Sequence, residues 1–345
     1  MKRSILARSS SARRALALIL TAALMLTACG KSNSTTSASG GSVNTITLGF
    51  SAWPGWFPWQ VAKEKGLFQK NGINVDLKYF DSYTDSLTAL SSGSIDANSQ
   101  TLNDTISSVA GGAAETIVLT NDNSTGNDQI IARAGINSVA DLKGRTVGVE
   151  QGTVDHYLLL LALKKAGLTA KDVHLKPLLT DAAAAAFKAG KIDAVGVFAP
   201  FTTTALTLPG SKAIATSRDF PGAIPDHLVI KADMVKKDPK AVQALVRTWF
   251  ETLDWIKAHH DEAVTIMAKR GGVDSKSYLE YNRGTTIFTL KDNLNAFSPG
   301  NTDANLDFQA KKISDFLLSN QMVDSPPNLD GLLDPTFVQQ MDRSR

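Results

Sequence analysis

The chain has 345 residues, 43% of them hydrophobic and 20% charged, with a formal net charge of +3. That composition is ordinary for a soluble globular protein, and the length is too great for one small core, so two lobes or domains are expected. The small charge, which turns negative once the first residues are set aside, argues against a nucleic-acid partner.

Residues 1–28 are a different kind of sequence from the rest. Lys2, Arg3, Arg8, Arg13 and Arg14 form a basic start, followed by an uncharged run from Ala15 to Leu26. Twelve helical residues reach only ~18 Å, short of the ~30 Å hydrocarbon core, so the run reads as a secretory h-region rather than a membrane span. It ends in Leu26-Thr27-Ala28-Cys29 before Gly30, which resembles the lipobox of bacterial lipoproteins. The resemblance implies acylation of the Cys29 thiol and a durable lipid anchor; an ordinary signal with a chance cysteine is the alternative. Cys29 is the only cysteine, so no intrachain disulfide can form. Loss of residues 1–28 removes five basic and no acidic residues, leaving 31 against 33 and a net charge of −2. The polar stretch 29–43, including "GKSNSTTSASGGS", reads as a flexible tether.

From Asn44 onward, short β-type runs alternate with helix-period stretches. Strands are expected at 45–50, 74–80, 94–100, 116–120, 129–133, 145–150, 173–178, 192–198, 212–217 and 226–230. Several helical stretches end at glycine, as left-handed caps prefer: Gly66, Gly93, Gly167 and Gly190. Strand–helix alternation over this length predicts an α/β fold with largely parallel sheets. Beyond residue 232 the pattern turns helical, with helices expected over 239–269, about 275–283, about 303–319 and near 335–343. Two segments repeat one device: "LSSGSIDANSQ" (90–100) and "FKAGKIDAVGVF" (187–198) both run helix, Gly, Ile-Asp-Ala, strand, as equivalent parts of two similar lobes would.

Ligands of open α/β sheets bind beyond the carboxyl ends of strands, so the loops there mark the candidate site. The loops at 51–59, 81–86, 101–105, 121–128, 150–156, 199–204 and 221–227 contain Asp81, Asp85, Asp104, Asp122, Asp128, Glu150, Asp155 and Asp226. They contain no lysine or arginine. Helix capping accounts for Asp85, Asp104 and Asp155 individually. It does not account for the absence of basic residues from the whole set, which favours a cationic or strongly hydrogen-donating ligand over an anion. Three of the five tryptophans, Trp53, Trp56 and Trp59, sit in the uncharged segment "GFSAWPGWFPW" (49–59). Either that loop plugs a core or it walls a site for something small and flat.

Catalytic patterns are poor. His156 beside Asp155 has no Gly-x-Ser-x-Gly elbow to serve, and there is neither a phosphate loop nor a His-Glu-x-x-His motif. The five histidines, His156, His174, His227, His259 and His260, form no metal spacing. No cofactor, no metal and no enzymatic turnover are expected.

The lipobox, the two α/β lobes and the segments "WPGWFPWQVAKEKGLFQKNGINVDL", "LSSGSIDANSQTLNDTISSVAGG", "NDNSTGNDQIIARAGINSVADLKGRTVGVEQGTVDHYLL" and "FKAGKIDAVGVFAPF" together resemble the substrate-binding proteins of ABC importers. The resemblance is to their nitrate/sulfonate/taurine and thiamine-precursor group. It spans roughly residues 45–230 and implies a two-lobed, periplasmic-binding-protein-like (type II) fold, with the ligand cleft between the lobes and a helical C-terminal part. Residues 44–130 with about 226–345 would form one lobe and about 131–225 the other. The family's contact positions fall here on Trp53 to Trp59, Gln100, Thr101, Asn123, Ser124, Glu150 to Thr153 and Phe198. With the loop carboxylates Asp81, Asp104, Asp155 and Asp226 they make up the expected ligand site. The implied partners are a small-molecule ligand, a permease and its ATPase, met by a lipid-anchored monomer outside the cytoplasmic membrane. The acid-rich loops point to a guanidine-like ligand; an alkanesulfonate or taurine, nitrate and a thiamine-precursor pyrimidine are the alternatives, and a secreted enzyme is the reading from another class.

Overall fold

The computed structural model describes residues 45–343. Cys29, the signal segment 1–28 and the tether 29–43 lie outside the described residues. Eleven strands form two sheets. β1 (Thr45–Phe50), β2 (Asn74–Tyr79), β3 (Ala97–Thr101), β4 (Glu115–Ser124), β10 (Pro225–Lys231) and β11 (Thr285–Ile287) build the first, in the order β11-β4-β10-β3-β1-β2. β5 (Asp128–Ala132), β6 (Thr146–Val149), β7 (His174–Pro177), β8 (Ala194–Phe198) and β9 (Lys212–Thr216) build the second, in the order β7-β6-β8-β5-β9. In the first sheet β1, β2 and β3 pair in parallel, as β6, β7 and β8 do in the second, and a strand arriving from the other lobe inserts antiparallel: β10 in the first, β5 in the second. The ten expected strands are all present, and both lobes belong to one compact unit.

The two Ile-Asp-Ala segments occupy matching places. The Asp96 and Asp193 carboxylates each accept a backbone N–H near the start of the central strand of the parallel trio, Thr47 of β1 at 3.0 Å and Thr146 of β6 at 2.9 Å. Each carboxylate also pairs with a cation from the inserted strand or its end, Lys231 at 3.0 Å for Asp96 and Arg133 for Asp193. Ile95 and Ile192 crowd Gly49 and Gly148, where a Cβ would lie 2.6 Å from the isoleucine methyl in both lobes. The same side chains do the same work twice. Gly66, Gly93, Gly167 and Gly190 all take positive φ, which lets the chain reverse out of each helix without Cβ strain.

Three expectations are corrected. β4 runs on to Ser124 rather than stopping at Thr120, because pairing with β10 on one side and β11 on the other keeps Asn121–Ser124 extended. β11 itself falls in a stretch read as helical. The expected helix over 239–269 is two helices, Pro239–Ala258 and His260–Arg270. The break is at His259, whose ring stacks on Trp255 at 4.4 Å and whose Nδ1 sits 3.0 Å from the Trp255 carbonyl. These helices, with Ser275–Tyr281, Leu290–Ala296, Leu306–Ser319 and Thr336–Arg343, pack on one another, on β4 and on the helices Pro58–Glu64 and Leu102–Ala110 that connect strands of the first sheet. Among the described residues no helix is long and apolar enough to cross a membrane.

Candidate functional site between the lobes

The tryptophan loop divides its labour. Trp59 is a core residue: it is fully buried, lies 4.7 Å from Trp249 and 6.1 Å from Phe68 between ring centroids, and donates from Nε1 to Ser99 Oγ at 2.9 Å. Trp53 and Trp56 face the cleft instead. With Tyr83 and Phe198 they close a ring of aromatic planes: Trp53–Trp56 6.3 Å, Trp56–Tyr83 5.5 Å, Tyr83–Phe198 6.1 Å and Phe198–Trp53 6.3 Å. Three of these rings come from the first lobe, and Phe198 comes from the end of β8 in the second. Tyr278 fixes the loop from behind, donating its hydroxyl to the Pro54 carbonyl at 3.1 Å.

The ring bounds a small pocket with a cavity volume of about 10 Å³, completed by Thr101, Val154, Ile224, Asp128 and Asp226. Asp122 stands behind Trp53, accepting its indole N–H at 2.9 Å, with the Gly55 backbone pressed against the carboxylate. Only glycine fits there, since a Cβ would lie 2.0 Å from Asp122 Oδ2. Asp155 sits in the first turn of the helix Val154–Lys165 with neither carboxylate oxygen hydrogen-bonded. Asp122, Asp128 and Asp226 each leave Oδ2 without a donor as well, and Trp56 Nε1 has no acceptor.

Not one of these buried carboxylates is in an ion pair among the described residues. Burial without a cation therefore governs their titration. It pushes Asp122 and Asp128 up to about 7. Asp104 also rises to about 7 on burial, although Thr101 Oγ1 donates to it at 2.7 Å. Asp155 and Asp226 rise well above the ordinary carboxylate range, through burial first and then through the neighbouring acids. Buried carboxylates collected without a counter-ion cost free energy that a cation or a strong donor would relieve.

The other expected contacts are placed elsewhere. Gln100 turns beneath the helix Leu102–Ala110, donating to Thr105 and Glu115, both at 3.1 Å. Ser124 ties the two crossings between the lobes, its hydroxyl 2.7 Å from that of Ser217. Asn123 donates to the Ser124 carbonyl at 3.1 Å. Asp81 is exposed at the outer rim. Thr153 donates from Oγ1 to the Glu150 carbonyl at 2.8 Å, and both carboxylate oxygens of Glu150 are taken up by threonines. Tyr83, Asp128, Val154 and Ile224 line the pocket without being among the expected site residues, although all four stand in loops already marked by their acids.

His156 does not form a dyad with Asp155. Its Nδ1 receives the Gly152 N–H at 3.3 Å, and the Asp155 oxygens are unbonded. No group of three or more His, Cys, Asp and Glu among the described residues is placed to hold a metal ion.

Comparison with known proteins gives three kinds of match. The family model described as "NMT1-like family" fits residues 39–270. A protein of Brucella abortus (strain 2308) named "Putative binding protein" is 33% identical over 224 residues, which is 64% of this chain and 69% of that one. Among solved structures, the periplasmic aliphatic sulphonate binding protein SsuA from Escherichia coli superposes with a TM-score of 0.70 at 24% identity, covering 85% of this chain and 92% of that one. The desulfurization enzyme DSZB shares the fold too, with a TM-score of 0.62 at 19% identity over 88% of this chain and all of the other. The fold is thus used for both binding and catalysis, and only the site can separate them.

Proposed function

The chain belongs to the NMT1-like family, and from that premise we propose that it is the substrate-binding component of an ABC importer, capturing a small organic cation of guanidine-like chemistry between its lobes. One observation carries the ligand class: the aromatic ring of Trp53, Trp56, Tyr83 and Phe198 opens onto the carboxylates of Asp128 and Asp226, with no lysine or arginine in the pocket wall. A guanidinium has weakly hydrated faces that suit tryptophan and edge N–H groups that suit carboxylates. Charged hydrogen bonds of ~1.5–3 kcal/mol and a cation–π contact of ~2 kcal/mol, less the cost of association, reach a Kd of the order of micromolar.

Two helix N-termini at the cleft that could otherwise hold an anion are already filled: Glu150 takes the N–H groups of Thr84 and Thr180. A sulfonate or nitrate would therefore meet acceptors rather than donors. The likeness to SsuA supports the second reading, an alkanesulfonate or taurine; taurine's ammonium group could use the same aromatic ring. The pocket wall offers neither a cysteine nor a histidine nucleophile, which supports capture without turnover. Location outside the cytoplasmic membrane, a Cys29 lipid anchor, a monomeric state and a permease–ATPase partner complete the proposal.

Titration calorimetry with guanidinium, urea, taurine and an alkanesulfonate tests it. Guanidinium should bind and the alkanesulfonate should not; tight sulfonate binding with no response to guanidinium would reverse the choice.

A further inference from the structure

Glu150 lies where the chain leaves β6, next to the pocket, yet it has nothing left to offer a ligand. Within its own lobe it accepts the backbone N–H of Thr180 at 3.1 Å and the Thr180 hydroxyl at 2.5 Å. Across the cleft its other oxygen accepts the Thr84 N–H at 3.2 Å, and the Thr84 hydroxyl as well. One carboxylate thus closes the N-termini of two helices, Tyr83–Ser91 in the first lobe and Thr180–Lys188 in the second. The second helix needs it, because its N-cap, Leu179, has no capping side chain.

The neighbouring buried acid Asp104 is held within the first lobe, by Thr101 Oγ1 at 2.7 Å and Asn103 Nδ2 at 2.9 Å. Glu150 is oriented by its own lobe and satisfies a helix end in the other, so the clasp forms only when the lobes meet. A negative charge at a helix N-terminus is favourable on its own, and here it is partly desolvated.

We propose that Glu150 is a closure latch: a positioning residue that sets the open–closed balance and touches no ligand. The role rests on lobe closure around a ligand, but it can be read without one. Cysteines placed on exposed helix positions, Thr88→Cys and Lys188→Cys in a Cys29→Ser background, allow spin labels to report the distance between the lobes. Without added ligand, the parent should show a short-distance population that Glu150→Gln depletes about tenfold, the scale of one charged hydrogen bond. Thr84→Val, which keeps the carboxylate and removes one cross-lobe donor, should deplete it in the same direction; it serves if Glu150→Gln folds poorly. Glu150→Gln should also weaken guanidinium and taurine by one common factor. A parent with no short-distance population, or variants with the parent's distribution, would overturn the latch, as would a loss confined to one ligand. If neither ligand binds the parent while the distances still respond to Glu150→Gln, the ligand assignment fails and the latch stands.

Discussion

Asp226 and Asp122 stand directly opposite one another on the neighbouring antiparallel strands β10 and β4, at 1% and 0% exposure. Like charges in that register repel, and burial together with the neighbouring acids raises both carboxyls above their ordinary range. The pair is therefore built for a state in which something positive, a proton or a cationic ligand, lies on it.

Stability should respond to pH accordingly. Burial raises Asp122 and Asp128 to about 7 in the folded chain and lifts Asp155 and Asp226 well above the ordinary carboxylate range, against ~3.9 when unfolded. The folded chain then holds protons that the unfolded chain has released, so these groups stabilise at low pH and the stabilisation is lost as pH rises through the folded values. Buried His156 and His227, both lowered by desolvation, act in the opposite sense below ~6.5, so the informative window lies above it. Between pH 6.5 and 8 the ligand-free protein should lose thermal stability, by up to ~1.4 kcal/mol per pH unit for each retained proton. Asp122→Asn should flatten that slope in a melting series; an unchanged slope would show that the pair holds no excess proton.

Removing charge from the pocket should separate binding from folding. Asp226→Asn and Asp128→Asn should each weaken guanidinium at least about tenfold by calorimetry. At pH 8 without ligand, both should melt no lower than the parent, since each relieves a buried like-charge contact. A variant that melts lower but binds normally would place that carboxylate in the scaffold.

The tryptophans should behave as two classes. Trp59→Ala removes a fully buried ring between Phe68 and Trp249 and should cost ~3–5 kcal/mol of stability, as large core truncations do. Trp56→Phe keeps most of the volume and should leave the melting temperature nearly unchanged while weakening binding of an organic cation. Gly55→Ala, by pushing Asp122 and the Trp53 loop apart, should cost about 1–3 kcal/mol and lower affinity together.

Cys29→Ser should leave the protein unprocessed or free it from the membrane, read by fractionation and acyl labelling. Continued acylation of that variant would remove the lipobox argument.

The order and place of the ten long strands could be read from the chain because apolar alternation, glycine caps and helix periods are local signals. The Ile-Asp-Ala repeat likewise announced a device used once in each lobe, and acids and tryptophans from the marked loops line one pocket. Local pattern gave out at β11, three residues extended by pairing with Ser124 to Asp122, and at His259, where one ring stacked on Trp255 ends a helix that the periodicity would continue. It could not sort the tryptophans either, since Trp53, Trp56 and Trp59 are alike in sequence, and only packing against Trp249 makes the last a core residue. Nor could it separate Glu150 from Asp226, two acids in similar loops. One ends up between helix N-termini of opposite lobes, and the other faces Asp122 across a strand pair whose members are about a hundred residues apart in the chain. Composition fixed that the site would be acidic and aromatic. Which carboxylates were left without a donor was decided by strand register and by the meeting of the lobes, because hydrogen-bond satisfaction depends on neighbours that the chain brings together only when it folds.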